Sequence, residues 1–272
     1  MRTFFMLLQA TLLVSAGLYN NIALAQDEFS ELNTAYADAP LPSVARDGNW
    51  HGLVGGAVIA LQQPVADRRG YLLPLVAVTY RDTFFWHFGQ LGAYVLNSDD
   101  RRARLAIALK ARRGYDPADY AALAGMVKRD TSLEAGISGV WRTHAVVTRY
   151  SYFSDISGTS HGDSAQLNFS HPFRLAPRWF LAPSLGAEWL SDKLVDYYYG
   201  VKPAEATATR PAYTGTASTN LRAGVMVMHL LPEHWLLFGG VGVTRLGSGI
   251  SDSPIVIHDS IGALHFGGAW YF

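Results

Sequence analysis

The chain has no cysteine, which excludes disulfides, thiolate nucleophiles and thiolate metal sites in one step. Charge is scarce as well. Asp, Glu, Lys and Arg supply 16% of the residues, against about 25% in soluble domains, so charge cannot cover the surface in the usual way. The 22 basic and 22 acidic side chains cancel, and no block of like charge exceeds three residues. There is thus no electrostatic footprint for nucleic acid, which is not expected as a partner. Past the amino-terminal stretch no uncharged apolar run reaches about 18 residues, which excludes helical membrane spans. The nine histidines are scattered. His161 lies near Ser160 and Asp163, and His258 beside Asp259 and Ser260, but neither carries a glycine elbow. His229 and His234 flank a turn and do not share metal-ligand spacing. No catalytic residue, metal or cofactor is expected, and the chain is not read as an enzyme.

What is present is apolar and aromatic. Hydrophobic residues make up 49%, with 26 Gly, 14 Tyr and 13 Phe, so a large apolar surface must be exposed without helical spans. A barrel resolves the conflict, because only alternate side chains of each strand need to be apolar. The sequence shows this alternation. From Arg102 to Arg113 one row reads Arg102, Arg104, Ala106, Ala108, Lys110, Arg112 and the other Ala103, Leu105, Ile107, Leu109, Ala111. Between Trp179 and Trp189 the row Trp179, Leu181, Pro183, Leu185, Ala187, Trp189 opposes Phe180, Ala182, Ser184, Gly186, Glu188. Ten residues at about 3.3 Å each, tilted about 40°, rise about 25 Å, the height of an apolar band between two aromatic girdles. Further strands are expected at residues 50–62, 71–80, 131–141, 144–153, 164–170, 217–230 and 235–246. Residues 83–97 form either one long strand or two short ones broken at Gly89. The predicted fold is all-β, a transmembrane antiparallel up-and-down β-barrel of about twelve strands, with ten as the alternative.

Both ends of the chain suit export to the outer membrane of a Gram-negative bacterium. Arg2, an apolar stretch to Leu18, and Ala23-Leu24-Ala25 before Gln26 have the pattern of a cleaved signal peptide, residues 1–25. Residues 26–49, with Glu28, Glu31 and Asp38 among prolines, are expected as a flexible periplasmic segment, and residues 50–272 as the barrel. At the other end Leu264, Phe266, Trp270 and Phe272 share one face of the final strand. Phe266, Trp270 and Phe272 are read as the signal for barrel-insertion machinery, with outer-membrane lipid as the surrounding partner. A periplasmic carboxyl end puts the turns near Pro177 and Pro232 in the periplasm. The connections at residues 114–128, 191–216 and 247–258 then lie outside.

The longer connections carry the most individual sequence. "DYYYGVKPAEATATRPAY", from Asp196 to Tyr213, and "TRLGSGISDSPIV", from Thr244 to Val256, resemble the MltA-interacting protein (MipA/OmpV) family of outer-membrane proteins. The resemblance runs from about Trp50 to the end and includes "LAGMVKRDTSLEAGIS", from Leu123 to Ser138. It departs from the family at the Ala- and Thr-rich stretch 204–209. It implies a barrel acting as a scaffold for murein-remodelling enzymes, a lytic transglycosylase and a murein synthase. It also leaves open a narrow solute channel or an adhesin or stress-response role. It implies no catalytic residues.

Two groups of side chains stand out as candidate sites. Asp196, Tyr197, Tyr198, Tyr199, Arg210 and Tyr213 form a loop patch that either packs over the barrel mouth, the preferred reading, or contacts a partner. Arg210 is expected to pair with Asp196 or Glu205, and Ser251, Asp252 and Ser253 to form a turn. Arg102, Arg104, Lys110 and Arg112 form a basic lumen row. Ion pairing with Glu134, Glu188 or neighbouring Asp residues is preferred there over attraction of anions.

Overall fold

A computed structural model describes residues 49–100 and 102–272; the expected signal peptide and nearly all of the amino-terminal segment lie outside the described residues. Thirteen strands make one antiparallel sheet: β1 (Trp50–Gln63), β2 (Ala66–Tyr80), β3 (Phe84–His87), β4 (Gln90–Asn97), β5 (Ala103–Arg112), β6 (Ser132–Arg142), β7 (Val147–Asp155), β8 (Asp163–Ser170), β9 (Phe173–Ala176), β10 (Trp179–Leu190), β11 (Ser218–Leu230), β12 (Trp235–Arg245) and β13 (Ser260–Tyr271). Each pairs with its neighbour, and β1 returns to β13 with Leu53 opposite Tyr271 and Leu61 opposite Ala263. The sheet is therefore closed, with no free first or last strand.

β8 and β9 are one stave. Both lie against β10, Ser170 opposite Ser184 and Phe173 opposite Leu181, and His171-Pro172 separates them because proline cannot donate to a ladder. The barrel thus has twelve staves, as the alternation predicts. Residues 83–97 divide at Gly89, as two short strands joined by a two-residue turn in which Phe88 (φ 51°) and Gly89 (φ 90°) both adopt the left-handed region. Such a turn matches the twist of a tight hairpin. It also ends the hairpin early. β2 meets β3 only over Ala77–Tyr80, so among the described residues Ala66–Val76 has no strand on that side.

Two expected boundaries shift. β2 begins at Ala66 rather than Tyr71, since the ladder with β1 continues through Arg69 and Gly70 into residues that carry charge outside the apolar band. β7 begins at Val147 rather than His144, because Thr143 Oγ1 accepts from the N–H groups of Ala145 and Val146 and holds a turn there.

The outer face is the lipid band. Val58, Leu72, Ile107, Leu185, Leu264 and Phe266 are each more than half exposed. Five of the seven tryptophans, Trp50, Trp141, Trp179, Trp235 and Trp270, sit where staves begin or end at the short-turn rim. Trp189 faces outward at the opposite end of β10. Indole rings at both interfaces anchor the barrel at headgroup depth. At the short-turn rim Phe272 closes the ring with Gly52, donating N–H to its carbonyl at 3.0 Å and accepting in return at 2.9 Å. Its ring stacks on Trp270 at 5.3 Å.

The inner face has two halves. From β12 through β2 it is apolar, with Phe238, Ile261, Leu53, Ile59, Leu73 and Leu75 buried. From β5 to β11 it is polar. Glu134 accepts from Arg112 at 2.6 Å and lies 3.2 Å from Lys110. Glu188 accepts from Arg222 at 2.6 Å, Gln166 at 3.1 Å and Asn220 at 3.3 Å. Both carboxylates are about 1% exposed, so these partners replace the water lost on burial.

Candidate functional site

The distinctive construction of the molecule is the closure of the mouth that carries its long loops, built from three connections: residues 113–131, 191–217 and 246–259. The second contains helix α1 (Asp192–Tyr199), started by Ser191, whose Oγ accepts from Leu194 N–H, and ended at Gly200, whose N–H reaches Asp196 O. One turn later Pro203 opens a short 3-10 turn ending at Glu205. Its fixed φ suits the first position of such a turn. The third contains the single turn α2 (Ser248–Ser251).

These loops interlock over the lumen. Tyr115 Oη donates to Tyr198 O at 2.9 Å, Ser253 Oγ to Tyr199 O at 2.6 Å, and Tyr213 Oη to Gly249 O at 2.9 Å. Ile257 N–H reaches Pro64 O at 2.8 Å and ties the third loop to the β1–β2 turn. Beneath these bonds Leu123, Leu194, Val195, Ile250 and Ile255 are no more than about 1% exposed, and they join the cluster that includes Leu61 and Leu73 of the barrel wall. The cap and the apolar half of the lumen are thus one core.

At its centre is a latch. Arg129 and Glu205, each 3% exposed, meet in a two-pronged contact, Nη1 to Oε1 at 2.9 Å and Nη2 to Oε2 at 3.0 Å. Arg129 also donates to Tyr197 O, Val127 O and Gly200 O, and Glu205 accepts from the N–H groups of Val127 and Lys202. Burial pushes the Glu205 carboxyl up, but the Arg129 guanidinium and the two backbone donors outweigh it and hold the group at about 2. The Tyr115 hydroxyl is pushed up to about 12, chiefly by burial, and burial raises Tyr198 as well.

The loop residues singled out in the sequence all lie in this cap. Tyr198 and Tyr199 are buried, while Tyr197 is half-buried and accepts from Asp130 N–H at 2.7 Å. Asp196 accepts from Gly215 N–H at 2.8 Å, and Tyr213 bridges to Val201. Arg210 differs from expectation: it donates to the carbonyls of Ala122, Ala124 and Glu205, not to a carboxylate. The reason is that Arg129 already occupies both Glu205 oxygens. Ser251, Asp252 and Ser253 lie in a turn as expected, Ser253 N–H reaching Ile250 O at 3.1 Å, and Ser253 is buried in the cap. Of the basic row, Lys110 and Arg112 face Glu134, and Arg104 lies over the Tyr94 ring at 5.0 Å. Arg102 precedes β5 in an exposed turn beside Asp100 at 3.2 Å, outside the lumen. Ser160 Oγ points at Asp155 and His258 lies 4.0 Å from Asp67. Among the described residues no group of three His, Asp or Glu could hold a metal.

Sequence reasoning missed Arg129. The readable signal was on the partner side, in Lys202-Pro203-Ala204-Glu205, where a Glu three residues after the cap position reaches back to that residue's N–H.

Fold and site together define an outer-membrane β-barrel with its long-loop mouth closed. Residues 54–272 match the family described as MltA-interacting protein MipA, and the chain belongs to that family. It is 30% identical to the outer membrane protein OmpV of Vibrio cholerae serotype O1 over 143 residues, 52% of this chain and 55% of that one. The alignment therefore spans about half the length of that relative. The putative outer membrane protein YiaT of Escherichia coli K12 is 24% identical over 75% of this chain and 85% of its own. The MltA-interacting protein of Escherichia coli K12 is 25% identical over 80% of this chain and 89% of its own. The chain is accordingly an outer-membrane protein of a Gram-negative cell.

Proposed function

We propose that this barrel is an adaptor that holds murein-remodelling enzymes, a lytic transglycosylase and a murein synthase, at the periplasmic face of the outer membrane. The observation that carries the reading is the asymmetry of the two ends. The outer mouth is shut by hydrogen-bonded, packed loops. The opposite rim ends in turns of two to five residues between anchored tryptophans. A barrel closed toward the medium and fixed in depth is suited to present a rigid surface to the periplasm. One relative carries the name MltA-interacting protein, which supports the choice of partner class. A narrow solute channel would require the cap to open, and an adhesin using the tyrosine loop would require Tyr198 and Tyr199 to leave the core.

The test is retention. The refolded mature barrel is immobilised and offered a detergent extract of the cell envelope, with a scrambled-loop barrel as control. Retention of a lytic transglycosylase or murein synthase, lost when residues 81–83 and 231–234 are replaced by Gly-Ser turns, supports the adaptor. Absence of both enzymes at every salt concentration refutes it.

A further inference from the structure

Among the described residues, β9 has no strand on one of its two sides. β7 meets its stave only from Asp163 to Ser170. β9 keeps the same register against β10, Phe173 opposite Leu181 and Arg174 opposite Phe180. Its four residues, about 13 Å of strand, therefore run past the turn that joins β6 to β7, and all four are exposed. His171 marks the level of that turn, because its ring meets Ala145 O. Backbone polar groups of successive residues point to opposite sides of a strand. His171 N–H reaches Pro183 O of β10 at 3.0 Å, so Pro172 O and both backbone polar groups of Arg174 face the open side. Pro172 falls where a missing N–H breaks no ladder bond.

The charge along this edge has one sign. Residues 164–187 and 143–146 contain no Asp or Glu. Arg174 and Arg178 are both exposed. The Arg174 guanidinium meets Ala176 O at 3.4 Å, and no carboxylate of the described residues pairs with either arginine. Elsewhere on the rim bases have acidic neighbours, Arg102 beside Asp100 and His51 beside Asp82 at 3.3 Å. Arg174 continues the inward row of Ser170, whereas Phe173 and Leu175 continue the outward row of Phe169. A lipid headgroup would meet the outward row, which carries no arginine. Two copies joined through β9 would bring like charges together across the new pair, which is destabilising. We propose that β9 is a docking edge, to which a partner polypeptide adds an extended segment as one more strand. The segment alternates carboxylate and apolar side chains, the carboxylates beside Arg174 and Arg178 and the apolar ones beside Phe173 and Leu175. Proline and charge keep an edge from pairing indiscriminately, and here the same charge selects an acidic segment. The inference deepens the adaptor reading by naming the surface and the kind of segment held, and rests on that reading only for the identity of the partner.

The test uses the full mature protein in phosphatidylcholine nanodiscs and a short fluorescent peptide alternating Glu and Val. The peptide should bind, while its Lys and Val counterpart and a copy N-methylated at alternate amides should not. Arg174→Glu combined with Arg178→Glu should weaken binding about tenfold or more, and Arg174→Lys combined with Arg178→Lys should retain it; both variants are scored only as the heat-modifiable folded form. Exchange of the Arg174 amide should slow when the peptide saturates the barrel. Absence of binding, equal binding by the charge-reversed variant, or binding that survives N-methylation overturns the proposal. Loss of the peptide when phosphatidylglycerol replaces part of the lipid assigns the arginines to headgroups and overturns it as well. The wild type and the charge-reversed variant are then offered the envelope extract. Equal retention of a murein enzyme by both overturns the docking edge and leaves the adaptor standing. Retention by neither refutes the adaptor, and the peptide result still decides the edge.

Discussion

Replacing Arg129 with Ala should open the cap and leave the barrel standing. In the protein Glu205 is 3% exposed and its two oxygens take four donors, two from Arg129 and two from backbone N–H groups. Arg129→Ala leaves a buried carboxylate with only the backbone donors, and breaking a buried pair from one side costs about 3–5 kcal/mol. An independent route gives a similar size. The Glu205 carboxyl lies at about 2 against its ordinary 4.5, a difference worth about 3 kcal/mol. Because the folded value is depressed, this stability is fully present above pH 4.5 and is lost as pH falls toward 2. Arg129 and Glu205 both lie in the loops, so the loss in the variant should be confined to them. Hydrogen exchange of the refolded barrel in lipid is the assay. At neutral pH, Arg129→Ala should speed exchange in residues 115–130 and 197–213 by two orders of magnitude or more while β6 and β10 stay protected. In the wild type the same segments should loosen between pH 4.5 and 2. Equal cap protection in wild type and variant, or acceleration spread evenly over the strands, would refute the latch as the source of closure.

Three further outcomes follow from the same contacts. Burial raises the Tyr115 hydroxyl to about 12 from 10 and Tyr198 with it, so their contribution holds below pH 10 and fades as pH rises through 12; tyrosinate absorbance should appear together with cap exchange in that window. Glu134→Ala removes the carboxylate that Lys110 and Arg112 share, leaving two cations side by side on the inward row of β5, and should cost about 3 kcal/mol, measured as a lower urea midpoint for unfolding from lipid vesicles. Deleting Phe272 removes its paired bonds to Gly52 and its stack on Trp270, and should reduce the fraction that reaches the heat-modifiable folded form; an unchanged fraction counts against an insertion role for the terminal aromatic.

The staves were legible because a wall between lipid and lumen forces alternation. The rows at 102–113 and 179–189 reappear as β5 and β10, and the break at Gly89 is the left-handed turn between β3 and β4. Boundaries failed where alternation is not the controlling force. Asp67, Arg68 and Arg69 extend β2 past the lipid band, where backbone pairing alone holds the strand, and Phe173–Ala176 continues a stave across a proline. The cap was legible as a place but not as a set of bonds. Arg129 and Glu205 are 76 residues apart, and a single sequence records no such pairing. Arg210 was the visible basic residue in the tyrosine loop, yet the geometry gives Glu205 to Arg129 and leaves Arg210 the carbonyls of the first loop.

The three stretches that carry the family resemblance, 123–138, 196–213 and 244–256, are largely the stretches that meet over the mouth. This coincidence has a physical cause. A lipid-facing stave needs apolar side chains at alternate positions, a demand that Leu, Val, Ile or Phe meets equally, so its sequence can drift. A cap that buries backbone at the end of a barrel must satisfy each polar group individually, because an unpaired buried N–H or C=O costs about 1–3 kcal/mol. Tyr115 Oη on Tyr198 O, Ser253 Oγ on Tyr199 O and Arg129 on three carbonyls of two loops each require one residue type at one position. The mouth therefore constrains its sequence more tightly than the wall that carries it, which is why the loops, usually the variable part of a barrel, are where this chain is most recognisable.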